Sequence, residues 1–272
     1  MTMFHGGPPF PEKGKKTLFI LDSLLFAILL CALGLFLYNG TQKLGYNWQW
    51  FRVPEFIISV TDEGVRPGLL LKGLGVTLQI TAASFVLTFI IGLGTALLRL
   101  SGSFAGRIIA RAYLESIRNT PLLIQLFFIY FVIAPALEMD GFWTAVISLS
   151  LFEGAYSSEI FRAGITSIDR GQWEAAYSLG GDRKFAYVNI ILPQALARIA
   201  PPLAGQAISL VKDSALVSTI AIYDLTMQGQ SIISDTFMTF EIWFTVAAIY
   251  LCITLLLSWS LDKAASKFKS RW

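Results

Sequence analysis

The sequence predicts an all-α integral membrane protein with six transmembrane helices and both termini in the cytoplasm. Of its 272 residues, 55% are hydrophobic and only 14% are charged, whereas a soluble domain carries about a quarter charged residues to cover its surface in water. The mean hydropathy of +0.63 supports the same prediction. Six long apolar runs predict the helices, and the uneven distribution of lysine and arginine predicts their orientation. This composition excludes intrinsic disorder, a nucleic-acid-binding protein and a small disulfide scaffold.

Each apolar run is predicted to be one membrane-spanning helix, because backbone polar groups in lipid must form hydrogen bonds within their own segment. A hydrocarbon core of about 30 Å requires roughly 20 residues at about 1.5 Å per residue. The first run is interpreted as a retained helix, because its exit from Tyr38 to Thr41 lacks a small-x-small cleavage pattern. The runs lie at 18–38, 74–98, 121–137, 142–161, 202–222 and 242–261.

Lysine and arginine set the predicted orientation through the positive-inside rule. With both termini in the cytoplasm, 16 of the 21 basic residues lie in cytoplasmic segments and 4 lie outside. The predicted order is a cytoplasmic leader, an additional N-terminal helix, an extracytoplasmic segment, a helical core that contains a cytoplasmic loop, and a cytoplasmic tail. These parts cover 1–17, 18–38, 39–73, 74–261 with the loop at 162–201, and 262–272.

Side chains that commonly catalyse reactions or bind metals are scarce in the predicted core. The single histidine is His5, in the leader, so no histidine-based triad, metal cluster or proton relay is expected in the helices. Cys31 and Cys252 each lie within an apolar run and are interpreted as small packing residues. The sequence therefore predicts neither a catalytic residue nor a metal site.

The cytoplasmic loop between the fourth and fifth runs is too long for a plain connector and contains signals for a short helix. Asp169 is a candidate N-cap with Gln172 three residues later, which is the pattern of a capping box. The predicted helix begins at Gln172 and ends before Gly180, which follows it as a C′ glycine. A second helical piece is expected from Arg183 until Pro193 interrupts it. Spacing alone leaves two interpretations open: a docking helix for another protein, or an amphipathic segment on the bilayer.

The same loop contains a motif of fixed residues at fixed spacing. A Glu-Ala-Ala triplet is followed after three residues by glycine and, after nine more, by Ile-x-Leu-Pro. This pattern resembles in full the EAA motif of ABC-importer permeases. The stretch 115–125 is similar to the E-x-x-R-[GN]-T-P-L-x-x-Q signature of the polar amino acid importers, and the resemblance extends over about 70–260. The motif residues are Glu174, Ala175, Ala176, Gly180, Ile190, Leu192 and Pro193.

The resemblance implies a permease subunit of an ATP-driven ABC importer of polar amino acids, in the cytoplasmic (inner) membrane of a prokaryote. Its fold would be the five-helix core of a type I importer, preceded by the additional N-terminal helix. In the family the EAA loop is a coupling helix that docks on a cytoplasmic ATPase, so Gln172 and the motif residues are the candidate ATPase-coupling residues. The implied partners are ATPase subunits, a second permease copy or paralogue, an extracytoplasmic solute-binding protein, an amino acid substrate and membrane lipid.

The chain itself is not expected to be an enzyme, because it contains no G-x-x-x-x-G-K-[ST] phosphate-binding loop. ATP and Mg would be bound by the partner ATPase, and no cofactor is expected in this chain. Two rival classes are disfavoured. An intramembrane hydrolase would show a recognisable motif of catalytic residues in its helices, and an ion-coupled secondary transporter would show inverted repeats.

Polar and charged residues inside the apolar runs are candidates for a substrate path, because an ionised side chain at mid-bilayer costs about 2.5–3.5 kcal/mol on insertion scales. Glu153, Tyr156 and Glu159 recur at i, i+3 spacing on one predicted helix, and Gln206 and Asp213 lie on the next. Two interpretations stay open. The residues line a path in which Glu153 contacts an ammonium group or a basic side chain of the substrate, or they form a purely structural network.

Other charged residues have structural interpretations. Glu159 lies three residues before Arg162, at the spacing of a local ion pair. Arg107 and Arg111 lie one turn apart and are expected to extend along the membrane surface or to reach lipid phosphates, and a contact with the ATPase is the alternative.

Overall fold

The structure is a computed structural model that describes most of the chain apart from its two ends and two short gaps. The described residues are 12–43, 45–61 and 64–269. His5, most of the predicted leader and the last residues of the predicted tail lie outside them. The described residues are mostly helical, as the sequence predicts.

The chain divides into two compact units, residues 1–48 and residues 49–272. The first unit contains helix α1 (Glu12–Lys43), which includes the predicted N-terminal span. Its apolar portion, Leu21–Phe36, exposes its side chains and is too short to qualify as a membrane span by length and composition. The helix is therefore present where the sequence predicts one, but its own length does not establish that it crosses a membrane.

The second unit begins with short elements in the predicted extracytoplasmic segment. A 3-10 turn (Trp50–Arg52) leads into helix α2 (Val53–Ile57). Strands β1 (Ile58–Thr61) and β2 (Gly64–Pro67) then pair in antiparallel register, with Ile58 opposite Pro67. The all-α prediction missed this hairpin, because two strands of this length are too short to show a clear alternation of apolar and polar residues.

Further helices, most of them joined by short turns, form the rest of the second unit. They are α3 (Leu69–Leu100), α4 (Phe104–Arg118), α5 (Leu122–Phe128), α6 (Ala134–Ala136), α7 (Gly141–Thr166), α8 (Arg170–Ser178), α9 (Arg183–Phe185), α10 (Leu192–Asp213), α11 (Leu225–Thr236) and α12 (Thr239–Lys269). π-Helical turns at Ile129–Ile133 and Ala186–Ile191 connect α5 to α6 and α9 to α10. A 3-10 segment at Ser214–Ile220 extends α10.

Two helices of the described chain are long and apolar enough to cross a membrane by themselves, α3 and the Thr239–Leu261 portion of α12. A third candidate combines α4 with Leu122–Ala136, and these two parts are bent by 108° relative to each other. The predicted fourth and fifth runs contain ionisable residues such as Glu153 and Lys212, which lower their apolar character. The helices alone therefore do not establish six spans.

The largest helix–helix contact in the second unit joins α3 and α7. Small or hydroxyl residues recur every four positions along α3, and Ser84, Thr88 and Gly92 are all buried. A Cβ atom added at Gly92 would come within 2.9 Å of the Ser157 Cβ and 3.2 Å of the Gly154 carbonyl oxygen. Small residues therefore allow the two backbones to approach closely, as is common between helices in membranes.

Aspartates begin four of the helices. Each carboxylate accepts a hydrogen bond of 2.7–2.8 Å from a backbone N–H in the first turn, where the helix itself offers that N–H no partner. The four capping residues are Asp140 for α7, Asp169 for α8, Asp182 for α9 and Asp224 for α11. The cytoplasmic loop and the helices that flank it are therefore started by specific side chains.

Candidate functional site

The short helix predicted in the cytoplasmic loop is α8, and its C-terminal end is held by two backbone hydrogen bonds. The Gly180 N–H donates to the Tyr177 carbonyl at 3.0 Å, and the Gly181 N–H donates to the Ala176 carbonyl at 3.1 Å. Gly180 has a φ of +77°. This left-handed residue with its pair of hydrogen bonds is a Schellman ending, in which glycine is favoured at C′. The predicted C′ position of Gly180 is confirmed.

The N-terminal end of α8 differs from the predicted capping box. The helix begins at Arg170, two residues earlier than expected, and the Asp169 carboxylate accepts from the Gly171 N–H at 2.7 Å. The Gln172 side chain does not close a box with Asp169. Its Oε1 accepts a hydrogen bond of 3.1 Å from Nε2 of Gln194 on α10. This partner could not be foreseen, because it lies 22 residues away in the sequence.

One face of α8 is anchored to the rest of the unit. The Trp173 ring packs edge-to-face against Tyr187, with centroids 4.7 Å apart. Ala176, a residue of the EAA motif, is fully buried. Together with the Gln172 contact, this packing fixes how α8 is oriented relative to the start of α10.

The opposite face of α8 is exposed and combines charge with apolar surface. Glu174 and Ala175 of the EAA motif are exposed, as are Tyr177 and Leu179. The Glu174 carboxylate lies 3.7 Å from the Arg170 guanidinium, but both side chains are largely in solvent, so the pair contributes little stability. A rigid helix with an exposed acid beside exposed apolar side chains is suited to docking on another protein.

The predicted interruption at Pro193 is wrong. The backbone stays helical from Arg183 to Asp213, passing through the π-helical turn at Ala186–Ile191. Pro193 lies in the first turn of α10, immediately after that turn. The wider π geometry accommodates a residue that cannot donate an N–H and whose ring would clash with a regular α-helical turn. In the same part of the motif, Ile190 is half-buried and Leu192 is exposed.

Three of the five predicted path residues come together at Glu153. The Glu153 side chain on α7 is buried, and Gln206 on α10 donates a hydrogen bond from Nε2 to Glu153 Oε2. Lys212 and Asp213, also on α10, lie near Glu153, and the Asp213 carboxyl group is within hydrogen-bonding reach of the Glu153 carboxyl group. Glu153 Oε1 has no hydrogen-bond partner among the described residues. A buried oxygen without a donor is costly, so this site favours an additional hydrogen-bond donor or cation.

The other two predicted residues belong to a separate cluster nearer the end of α7. Glu159 Oε1 accepts hydrogen bonds from Arg99 at 2.5 Å and from Arg118 at 3.2 Å, and its Oε2 accepts from Arg162 at 3.0 Å. The Arg118 guanidinium also lies over the Tyr156 ring, 5.9 Å from its centroid. The pair of Glu159 with Arg162 is confirmed. The other two arginines, on α3 and α4, are too far away in the sequence to be predicted from spacing.

A polar cluster at the start of α11 was not predicted from the sequence. Asp224 is fully buried and accepts hydrogen bonds from the Met227 N–H at 2.8 Å and from the Tyr250 hydroxyl at 3.4 Å. The next residue, Leu225, donates its N–H to the Thr77 hydroxyl at 3.1 Å. Burial raises the pKa of Asp224 from 3.8 to about 6, although the hydrogen bonds that it accepts act in the opposite direction. The one sequence signal was an aspartate directly before a helix.

Metal ligands and cysteines add no further site in the part of the chain that the structure describes. Within those residues, no group of three or more His, Cys, Asp or Glu side chains could hold a metal ion. Cys31 and Cys252, expected to pack inside the protein, are both exposed. Their apolar runs belong to helices whose surfaces are themselves apolar, so an apolar sequence context does not identify the buried face.

The chain matches a known protein family over most of its length. Residues 88–270 match the family described as "Binding-protein-dependent transport system inner membrane component". The matched segment includes α8 and both clusters of polar residues on α7.

Individual relatives and solved structures agree with this match. The chain is 39% identical over 204 residues to the glutamine transport system permease protein GlnP of Escherichia coli (strain K12), which covers 74% of this chain and 93% of that protein. It is 40% identical over 193 residues to the L-cystine transport system permease protein TcyB of Bacillus subtilis (strain 168), with coverages of 70% and 82%.

A solved structure described as "Crystal structure of an amino acid ABC transporter with histidines" superposes with a TM-score of 0.66 at 38% identity, over 75% of this chain and 94% of that one. The MetNI methionine ABC transporter in an inward-facing conformation gives a TM-score of 0.63 at 20% identity, over 74% of this chain and 96% of that one. At that identity the second likeness concerns the fold alone.

Proposed function

The chain belongs to the family of binding-protein-dependent transport system inner membrane components, and on this basis we propose that it is the permease subunit of an ATP-driven importer of polar amino acids. It is a membrane-embedded protein with the type I ABC permease fold. The proposal places it in the cytoplasmic (inner) membrane of a prokaryote. The names of the two relatives above, which mention glutamine and L-cystine, support a polar amino acid as the class of substrate.

The observation that carries this proposal is the geometry of α8. Its two ends are fixed by Asp169 and Gly180, and its inner face is anchored by Trp173 and Gln172. Such a helix transmits a push from a bound partner to α10 as a rigid-body displacement, which a flexible loop would absorb. The exposed Glu174 then offers a carboxylate to a basic residue of the partner.

The proposed partner on this face is a separate ATPase that binds ATP and Mg, since no phosphate-binding loop occurs in this chain. Two ATPase subunits closing on each other require two permeases, a second copy of this chain or a paralogue. A solute-binding protein is proposed to deliver the amino acid from the extracytoplasmic side.

The proposed topology has six spans and places both termini in the cytoplasm. The five-helix core consists of α3, the α5–α6 segment, α7, α10 with its 3-10 extension, and α12, and α1 is the additional span. The distribution of lysine and arginine supports this orientation. The bend of 108° between α4 and the segment that follows supports α4 as a helix that runs along the membrane surface.

The substrate path is proposed to pass Glu153, with Gln206 and Asp213 beside it and with Tyr156 and Glu159 towards the cytoplasmic end. The unpartnered Glu153 Oε1 supports this assignment, because a substrate ammonium group or basic side chain would supply the missing donor. Three arginines already neutralise Glu159, so Glu153 rather than Glu159 is the proposed contact for a cation.

Uptake by reconstituted vesicles tests the ATP-driven function. The complex purified with its co-purifying subunits is expected to accumulate its amino acid only with ATP, and vanadate should block that accumulation. Glu174→Lys is expected to reduce ATPase co-purification and uptake about tenfold, while Asp235→Lys, an exposed acid on α11, should leave ATPase co-purification unchanged. Uphill uptake that persists under vanadate would overturn the proposal.

The substitution Glu153→Gln tests the proposed path. It keeps the size of the side chain but replaces the carboxyl group with an amide that cannot ionise, so uptake or substrate preference is expected to change at normal expression. Glu241→Gln is the matched control, because Glu241 is also fully buried but lies on α12 and accepts a hydrogen bond from the backbone N–H of Gln49. Unchanged uptake and unchanged preference in Glu153→Gln would remove Glu153 from the path.

A further inference from the structure

Arginines from three helices surround a single open cavity of about 750 Å³ at the junction of α3, α4 and α7. We call it the arginine basin. Its charged lining residues are Arg99, Arg107, Arg111, Arg118 and Arg162, with Glu115 and Glu159. Five guanidinium groups thus face two carboxylates, which leaves three positive charges uncompensated. A cavity of this size is within the range that binds small molecules or headgroups.

The arginines of the basin differ in how far they are already engaged. Arg99, Arg118 and Arg162 all bind Glu159. Arg107 and Arg111, on α4, are exposed, and the structure gives them no ion pair or side-chain hydrogen bond within its described residues. Their donors are therefore available for an anion. Guanidinium groups suit phosphate in particular, because their planar N–H fork matches two phosphate oxygens.

The side chains around Arg107 and Arg111 indicate where that anion lies relative to the membrane. Phe104 and Ile108, which flank the two arginines on the same helix, are 74% and 52% exposed. An exposed apolar face beside a basic one is typical of a helix in the interface between headgroups and acyl chains. The bend of 108° after α4 is consistent with that placement, because it turns α4 away from the direction of the following segment.

We propose that the arginine basin binds a phosphate-bearing anion, with Arg107 and Arg111 as the principal donors, and that the headgroup of an acidic phospholipid supplies this phosphate in the membrane. The ion pairs of Glu159 hold the other three arginines on one side of the arginine basin. Arg107 and Arg111 line the side next to lipid. The acyl chains would lie along Phe104 and Ile108. The site depends on membrane embedding and not on which amino acid is transported.

Ligand-dependent thermal stability measures this binding. The full-length chain is purified in detergent with its co-purifying subunits, and its unfolding midpoint is followed during titration with dioctanoyl phosphatidylglycerol, dioctanoyl phosphatidylcholine or inorganic phosphate. Phosphatidylglycerol is expected to raise the midpoint at the lowest concentration. In Arg107→Gln/Arg111→Gln its apparent affinity should fall about 30-fold, which corresponds to two basic residues near a membrane surface.

The control removes two positive charges elsewhere on the face that is predicted to be cytoplasmic. Arg183→Gln/Lys184→Gln should bind phosphatidylglycerol as tightly as the unsubstituted chain. If the glutamine variant of the basin does not fold, Arg107→Lys/Arg111→Lys replaces it, because lysine keeps the charge but lacks the planar fork. This variant should bind more weakly than the unsubstituted chain, and equal affinity would overturn the proposal.

The three probes separate the sources of the phosphate. If only phosphatidylglycerol shifts the unfolding midpoint, and the shift requires Arg107 and Arg111, the result supports a lipid as the occupant of the arginine basin. An equal, arginine-dependent shift with inorganic phosphate supports the basin with a soluble occupant. The proposal is overturned if no probe shifts the midpoint, or if the shift is the same in the glutamine variant.

Discussion

Gly180 is the residue whose backbone conformation bears most directly on the proposed function. A Cβ atom added there would have no neighbour within 4 Å, so a side chain is excluded only by the φ of +77°. The left-handed conformation costs a non-glycine residue about 1–2 kcal/mol. Proline cannot adopt it at all and also removes the N–H that bonds to Tyr177.

Gly180→Pro is therefore expected to uncouple ATP turnover from uptake while leaving membrane insertion intact, and Gly180→Ala should show a weaker form of the same defect. Gly102→Ala is the control, because an added Cβ there also meets nothing within 4 Å and φ is not positive. ATPase activity and uptake are measured on the same vesicles. Normal uptake by the proline variant would refute the coupling role of the α8 ending.

Asp224 predicts a pH dependence of stability. Its pKa is raised to about 6 in the folded protein, above its ordinary value of 3.8. The fold therefore favours the protonated carboxyl, and this contribution is complete below about pH 4 and is lost as pH rises through about 6. The decrease in the free energy of unfolding is at most about 3 kcal/mol.

The substitution Asp224→Asn tests this dependence, because asparagine keeps an oxygen acceptor for the Met227 N–H but does not ionise. The unfolding midpoint in detergent should fall between pH 4 and pH 6 in the unsubstituted chain. In the variant this fall should be smaller. An identical pH profile for the two proteins would show that Asp224 does not titrate in this range.

At the scale of elements, the contact between α3 and α7 predicts a contrast between two glycines of one helix. Gly92 faces Ser157 and Gly154 at distances that leave no room for a methyl group, whereas Gly94 has nothing within 4 Å. Gly92→Ala is expected to lower the unfolding midpoint, at a cost of about 1–3 kcal/mol for overpacking. Gly94→Ala should be neutral or slightly stabilising. Equal midpoints for both variants would contradict the close packing of these helices.

How well an element was predicted depended on whether its signals were local. Asp169 and Gly180 lie directly at the two ends of α8, so this helix was predicted with an error of only two residues at its start. The continuity of the backbone through Pro193 was missed, because a π-helical turn leaves no recognisable pattern in the sequence. The hairpin of β1 and β2 was missed because its strands are short.

The candidate sites show the same dependence on sequence distance. The pair of Glu159 with Arg162 follows from a spacing of three residues and was predicted. The contact of Gln206 with Glu153 crosses 53 residues, and that of Arg99 with Glu159 crosses 60. Residue types inside apolar runs identified Glu153 as a candidate, but only tertiary structure shows which charged side chains reach it.

At the scale of the whole molecule, the two compact units predict that the core folds without the first one. The match to GlnP of Escherichia coli spans 204 residues and 93% of that relative but only 74% of this chain. The described side chains of Leu21–Phe36 are exposed and form no part of the buried core. A chain that begins at Gln49 is expected to elute as a monodisperse species in detergent and to unfold at nearly the same midpoint. Aggregation or loss of the cooperative transition would contradict this prediction.

The four aspartate caps narrow the choice of acidic residues for the proposed substrate path. The side chains of Asp140, Asp169, Asp182 and Asp224 each accept a hydrogen bond from a backbone N–H in the first turn of a helix, so one oxygen of each is already engaged with the protein's own backbone. On the proposed path, Glu153 is therefore the carboxyl group left to contact a positively charged solute, and Glu153→Gln should alter the order in which competing solutes are accepted.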